Sequence, residues 1–227
     1  MGIPVLILGE SGSGKSASLR NFQANEVGIF NVAGKPLPFR KKLPKVDNAR
    51  YSTILKGLSA PSRKAYVIDD SQYLLAFEFF DRAQENGYNK FTDIALHFRD
   101  LIQFVIEKTP PDCLVYFLHH TEMTADGSLK AKTIGKMLDE KLTVEGLFSI
   151  VLLCRTAKDK HVFVTQSEGI STAKSPMDMF PEEIDNDLKL VDSAIRAYWG
   201  LGTTEEEPEE EKERDLTRQE HATQQEA

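Results

Sequence analysis

Cysteine is scarce: Cys113 and Cys154 are the only two, and both lie inside apolar runs of strand character. That excludes a disulfide framework, and no Cys/His spacing suggests zinc, so two buried, reduced thiols are expected. Long hydrophobic runs are missing too. No stretch reaches membrane-spanning length, and no charged-then-apolar leader opens the sequence, so a cytoplasmic protein with no membrane partner is expected. A charge of one sign is absent from most of the chain. The formal charge is −7, yet the stretch from Glu205 to Ala227 carries ten acidic and three basic residues, while the remainder carries 25 of each sign. A neutral body with an acidic appendage follows. The appendage has too little apolar content to fold alone, so residues 203–227 are expected to be a disordered acidic tail on a single domain over 1–202. With 227 residues and 41% hydrophobic content, the body is long enough for one α/β domain with a sizeable core.

What is present is concentrated near the start. Gly9-Glu10-Ser11-Gly12-Ser13-Gly14-Lys15-Ser16 matches G-x-x-x-x-G-K-[ST], the phosphate-binding P-loop. The apolar run Ile3–Leu8 before it has strand length, and Ser16–Phe22 after it has helical apolar spacing. A strand, a glycine loop and a helix N-terminus make an anion site, because successive N–H groups point inward and the helix dipole favours negative charge. Gly9, Gly12 and Gly14 let the backbone pass close to oxygen atoms. Lys15 is expected to reach the β- and γ-phosphates of ATP, and Ser16 to sit on Mg²⁺.

Further along, Val27–Val32 reads as a second strand. The stretch Gly34–Lys45 holds three prolines, which exclude regular structure. From Lys35 to Arg50 there are six basic residues and one acidic one, with Phe39 among them, which suits either nucleic acid or a solvated loop. Ala65–Asp70 is an apolar strand ending in two carboxylates, the Walker B form, and Asp69 is placed to hold Mg²⁺. Helices are expected over Ser71–Gln84 and Phe91–Glu107. The buried strand Cys113–Leu118 ends in His119-His120, where a polar side chain would face the γ-phosphate. Thr124–Val144 has little strand pattern and reads as a segment that orders on binding. Phe148–Cys154 and Lys160–Thr165 read as a hairpin, and Asn186–Trp199 as a last helix.

Taken in order, the P-loop, the Val67-Ile68-Asp69-Asp70 strand, the strand ending in His119-His120, Ile134-Gly135-Lys136 before Phe148-Ser149-Ile150-Val151, and Pro181–Leu188 resemble a phage family. Its members are small ATPases with a minimal RecA-like core that act as ATP-dependent single-strand annealing proteins in DNA recombination. The resemblance covers roughly residues 3 to 200. It implies a three-layer P-loop NTPase with a mostly parallel RecA-like sheet. It further implies hydrolysis of ATP to ADP and phosphate, with ATP and Mg²⁺ as cofactors, in the host-cell cytoplasm. The partners implied are single-stranded DNA, further copies of the chain and a single-stranded DNA-binding protein. Gly9 to Ser16 would bind phosphates and Mg²⁺, Asp69 would orient the metal, and His119 or His120 would sense the γ-phosphate. DNA-binding loops are implied at Thr121–Val144 and Ser167–Pro176, with Lys130, Lys132 and Lys136 as candidate contacts. Lys174 is a candidate for reaching a neighbouring protomer's γ-phosphate.

Two departures from the RecA pattern matter. The P-loop strand begins at Ile3, so a preceding segment that docks on a neighbour is not expected, and a ring or another assembly is open. The second strand ends Asn31-Val32-Ala33 where a catalytic glutamate is expected, which leaves Asp70 to polarise the attacking water. Two rival functions stand beside this one. Arg40-Lys41-Lys42 could hold an acceptor phosphate in a small-molecule P-loop kinase. A nucleotide-gated adaptor without significant hydrolysis would need no catalytic carboxylate.

Overall fold

The computed structural model describes residues 1–135, 137–157 and 159–202, without the side chains of 139 and 140. Lys136 and the tail 203–227 therefore lie outside the described residues.

The strands are β1 (Ile3–Gly9), β2 (Val27–Asn31), β3 (Lys45–Asp47), β4 (Ala65–Asp69), β5 (Leu114–Met123), β6 (Leu129–Ala131), β7 (Ile150–Ala157), β8 (Lys160–Val164) and β9 (Glu183–Asp185). The α-helices are α1 (Tyr51–Ser59), α2 (Gln72–Asp81), α3 (Asn89–Lys108) and α4 (Leu188–Trp199). The sheet runs β3-β2-β4-β5-β1-β7-β8-β9, with β6 paired to β5. Pairings from β3 through to β7 are parallel, and β6, β8 and β9 join antiparallel. The central strands read as unbroken apolar runs because both faces of a parallel sheet are covered.

Alternation along β1 divides two cores. Leu6 and Leu8 face one with Ile68, Val115, Phe117 and Val151, roofed by α1, α2 and α3. Val5 and Ile7 face the other with Val67, Tyr116, Leu118 and Leu152, roofed by α4 and the segment after the glycine loop. This is a three-layer α/β sandwich. Val5 to Leu8 are wholly buried, and each contributes roughly 1.5–3 kcal/mol relative to an exposed position. Register then fixes the geometry at the carboxyl ends: Gly9 pairs with His120, and Asn31 with Asp69.

Several elements differ from expectation. Ser16–Asn21 forms one six-residue 3₁₀ segment, not an α-helix. Ser18 Oγ donates to the carbonyl of Lys15 at 2.6 Å, a local bond that competes with α-helical pairing. Thr124–Val144, which has little strand pattern in its sequence, includes among its described residues strand β6, paired to β5 as a hairpin, and a π-helical turn over Met137–Leu142. Helix α1 and strand β9 had no counterpart in the sequence reading. Cys113 and Cys154 are buried free thiols, as expected.

Candidate functional site

The glycine loop leaves β1 at Gly9 and lies across the ends of β5 and β7. Three positions need glycine. A Cβ on Gly9 would stand 2.5 Å from Ser13 Oγ and 2.7 Å from the Cys154 carbonyl. Gly12 has φ +81° and Gly14 has φ +103°, values that favour glycine. A Cβ on Gly14 would also stand 2.6 Å from the ring of His161. Behind the loop, Cys154 Sγ donates to the Ser13 carbonyl at 3.0 Å, and Asn186 Nδ2 donates to that sulfur at 3.1 Å. Burial pushes the Cys154 thiol up to about 11, so it stays protonated and serves as a donor. Glu10 and Ser11 are exposed at the loop's tip.

Lys15 is buried, and its Nζ donates to the carbonyls of Gly9 at 2.7 Å and Glu10 at 2.8 Å. Burial lowers its pKa, while the nearby carboxylates Asp70 and Asp69 oppose that shift. Ser16 Oγ donates to Asp69 Oδ1 at 2.8 Å, joining the loop to the end of β4. Strand β5 lies between β1 and β4, so Asp69 reaches the loop across one intervening strand. Burial lifts the Asp69 carboxyl to about 6, the Ser16 hydrogen bond opposes that, and the charge of Asp70 adds to it. Asp69 is thus a buried carboxylate whose ionised form gains from an added positive charge.

Asp70 turns the chain out of β4 with φ +61°, a left-handed conformation that aspartate tolerates better than most residues. Its oxygens accept from Lys35 Nζ at 2.9 Å and from His120 Nε2 at 3.1 Å. Burial alone would raise its pKa, but the His120 and Lys35 hydrogen bonds outweigh burial and hold it at about 2. Asp70 is therefore ionised and engaged by two nitrogen donors.

The two adjacent histidines part company because neighbours on a strand face opposite ways. His120 lines a cavity of about 320 Å³ beside the loop, together with Lys15, Ser16, Lys35, Asp69 and Asp70. His119 is wholly buried on the other side. Its Nδ1 is 2.9 Å from Ser71 Oγ, its Nε2 is 2.9 Å from the Lys132 carbonyl, and its ring packs on Phe98. Burial drives its pKa down to about 4, leaving it neutral. Of the expected pair, His120 meets the site and His119 braces β5.

The other described candidates, Lys130, Lys132 and Lys174, do not line the cavity. Lys130 sits on β6 with Nζ 3.4 Å from Glu122, and Lys132 is exposed just beyond that strand. Lys174 bridges Val151 through both backbone groups, at the amino end of β7. The two implied DNA-binding loops do meet, because Leu129 N–H donates to the Ile170 carbonyl at 2.8 Å.

Lys35 and His161 are cavity residues that sequence reasoning did not assign to the site. Lys35 lies on the proline-rich connection, whose Pro36 and Pro38 also line the cavity. No motif marks either one.

The donor set fits a magnesium–nucleotide complex. It offers hard oxygens from Ser16 and Asp69, an ammonium at the loop and glycines that admit close approach. Among the described residues no group of three or more His, Cys, Asp or Glu could hold a metal unaided. Mg²⁺ in phosphate sites commonly has only one or two protein carboxylates, the phosphates and water filling its shell. No helix of the described residues is long and apolar enough to cross a membrane. No protein-family model matches the chain, and no curated protein matches it.

Proposed function

We propose that the chain is a P-loop ATPase with a RecA-like core that binds single-stranded DNA and promotes annealing in phage recombination. The observation that carries the nucleotide part is the Ser16–Asp69 hydrogen bond beside Lys15. It supports a shared Mg²⁺ position for the two motifs. In that reading Lys15 exchanges carbonyl partners for phosphate oxygens. Ser16 and Asp69 present oxygens to the metal, which when bound neutralises developing charge on the phosphates. In the same reading a γ-phosphate would compete for Lys35 and His120, which are bonded to Asp70 in this structure. The parallel order with one strand between β1 and β4 supports the ATPase branch of P-loop folds. The annealing activity, the phage setting, the homo-oligomer and a single-stranded DNA-binding protein partner rest on the family resemblance.

A second reading has its own observation. The end of β2 offers Asn31, which donates to the Lys35 carbonyl and to Asp47 Oδ1, both at 2.6 Å. With an amide in place of a carboxylate on β2 itself and Asp70 engaged, a nucleotide-gated adaptor without significant hydrolysis is the alternative.

Isothermal titration tests the core of the proposal. Lys15→Ala should cost at least ~2 kcal/mol of Mg²⁺-ATP affinity, the scale of a charged hydrogen bond. Unchanged affinity sinks the nucleotide assignment. Oligonucleotide binding across a salt series, with and without ATP, tests the DNA part. A DNA binder weakens steeply with salt, whereas a kinase or an adaptor ignores the oligonucleotide.

A further inference from the structure

We propose that the groove between α1, α2 and α3 receives Arg40 of a second copy of this chain, so that copies associate head to tail. The proposal rests on neither the nucleotide nor the DNA reading.

The groove is a cavity of about 500 Å³ on the outer face of the three-helix layer. Leu55, Leu74, Leu101 and Phe104 supply apolar walls, and Tyr51 and Glu78 supply the polar end. Tyr51 Oη and Glu78 Oε2 are both buried, and neither has a hydrogen-bond partner among the described residues. Leaving a buried polar atom unsatisfied is costly, so such atoms mark where a partner group belongs. Glu78 Oε1 is already used, at 3.2 Å from Arg82 and 2.8 Å from His97. At the mouth stand Asp81, which makes no ion pair among the described residues, and Asp100, which pairs with Arg99. Arg50 also lines the groove, but its guanidinium is turned to the carbonyls of Val32, Asn48 and Ala49 and over the Phe77 ring. Apolar walls, an unmet carboxylate oxygen, an unmet hydroxyl and an unpaired carboxylate describe a socket for a long cation with an apolar stem. A guanidinium suits it better than an ammonium, because its planar fork addresses separate acceptors at once.

The chain carries such a group. Arg40 is exposed and makes no hydrogen bond or ion pair among the described residues, and the same holds for Lys42. Their segment is not a loose arm. Pro36 and Pro38 line the glycine-loop cavity, and Leu37 and Phe39 pack on the core beneath α4. An anchored donor loses less entropy on binding than a free one. That anchoring core is on the opposite face of the sheet from the groove. Arg40 therefore cannot easily fill its own groove, and the contact runs from one copy to the next. Such a contact is heterologous, closing into a ring or extending as a chain.

Sedimentation velocity of the full chain at low salt, across the micromolar range, tests this. Wild type should associate reversibly, and rising salt should disperse it. Arg40→Glu and Asp81→Lys should each weaken association about tenfold or more, and Tyr51→Phe a few-fold. Asp81 is exposed at the end of α2, so its replacement leaves the fold intact. The double variant Arg40→Glu/Asp81→Lys should associate again, since the reversed charges meet. Occupation of the Arg40 site by the acidic tail would not give that rescue. A monomer throughout, association indifferent to these variants, or a double variant no better than the singles would each overturn the proposal. Nucleotide titration of the same variants shows separately whether the glycine-loop reading stands.

Discussion

His119 offers a prediction that stands on structure alone. The ring is wholly buried, packed on Phe98, with its nitrogens facing Ser71 Oγ and the Lys132 carbonyl. Burial holds its folded pKa at about 4 against 6.5 for a free histidine. The unfolded chain therefore takes up a proton below pH 6.5 that the folded chain refuses until about pH 4. Stability from this group is complete above 6.5 and drains away as pH falls through that window. The full difference is roughly 3 kcal/mol, of which ~2 kcal/mol is lost between pH 7 and pH 5. Asp69 works the other way. Its folded carboxyl, raised to about 6 from 3.8, binds a proton more tightly than the unfolded one, so it adds stability as pH falls. The two opposing effects are of similar size near pH 5, and wild type alone shows a shallow profile. Comparison with His119→Phe separates them, because the variant keeps the ring packing and every other titrating group. Urea denaturation at pH 7 and pH 5 should show wild type losing ~2 kcal/mol more than the variant on acidification. A wild-type-minus-variant difference that stays flat between those pH values refutes a buried neutral His119. A His119 ring titrating near 6.5 by NMR would refute it independently.

Asp69→Asn should weaken Mg²⁺-ATP binding far more than metal-free nucleotide, read by parallel titrations with and without chelator; equal weakening makes Asp69 structural. Gly14→Ala should abolish nucleotide binding, because the added Cβ meets the His161 ring at 2.6 Å on a backbone with φ +103°. Trimming the ring in Gly14→Ala/His161→Ala should recover only part of that loss, and full recovery would show that backbone strain contributes nothing. Changing Lys130, Lys132 and Lys136 together to alanine should lower single-stranded DNA affinity and flatten its salt slope; an unchanged slope moves the DNA site elsewhere.

The parts of the site that could be read in the sequence are those fixed by short-range chemistry. Gly9 to Ser16 stand out because a tight loop of this shape needs glycine at set positions, and those positions lie within eight residues. Asp69 is legible because a buried strand that suddenly ends in carboxylates has little other reason to do so. The fold was legible for a similar reason, since fully covered parallel strands lose their polar alternation and stand out as apolar runs. Helix α1 was not, because Arg50 caps it without a side-chain hydrogen bond and only Ile54 and Leu58 are buried in it. The 3₁₀ segment escaped because apolar spacing over one turn does not distinguish it from an α-helix, and the competing bond runs from the Ser18 side chain to the Lys15 carbonyl three residues back.

Lys35, His120 and His161 illustrate what sequence cannot supply. His120 and His119 are chemically identical neighbours, yet one faces a cavity and the other a core. The choice is made by strand register, since Gly9 pairs with His120 and the side-chain period of two then sends His119 toward Phe98. Lys35 reaches Asp70 from a proline-rich connection, and its partner lies 35 residues away. That pair gives Asp70 a conformational role that a motif would miss. With its carboxylate bonded to Lys35 and His120, Asp70 can act as a base only after those bonds lengthen. In the proposed reading, a phosphate at the loop would compete with Asp70 for the Lys35 ammonium and the His120 Nε2 contact. In that reading, nucleotide binding would thus loosen the restraint on Asp70. The residue that departs from the expected pattern at the end of β2, Asn31, contributes to the same arrangement by donating to the Lys35 carbonyl. Asn31 and Lys35 thus belong to one local arrangement around Asp70, and in the proposed reading the hydrogen bonds of Asp70 would depend on what occupies the glycine loop.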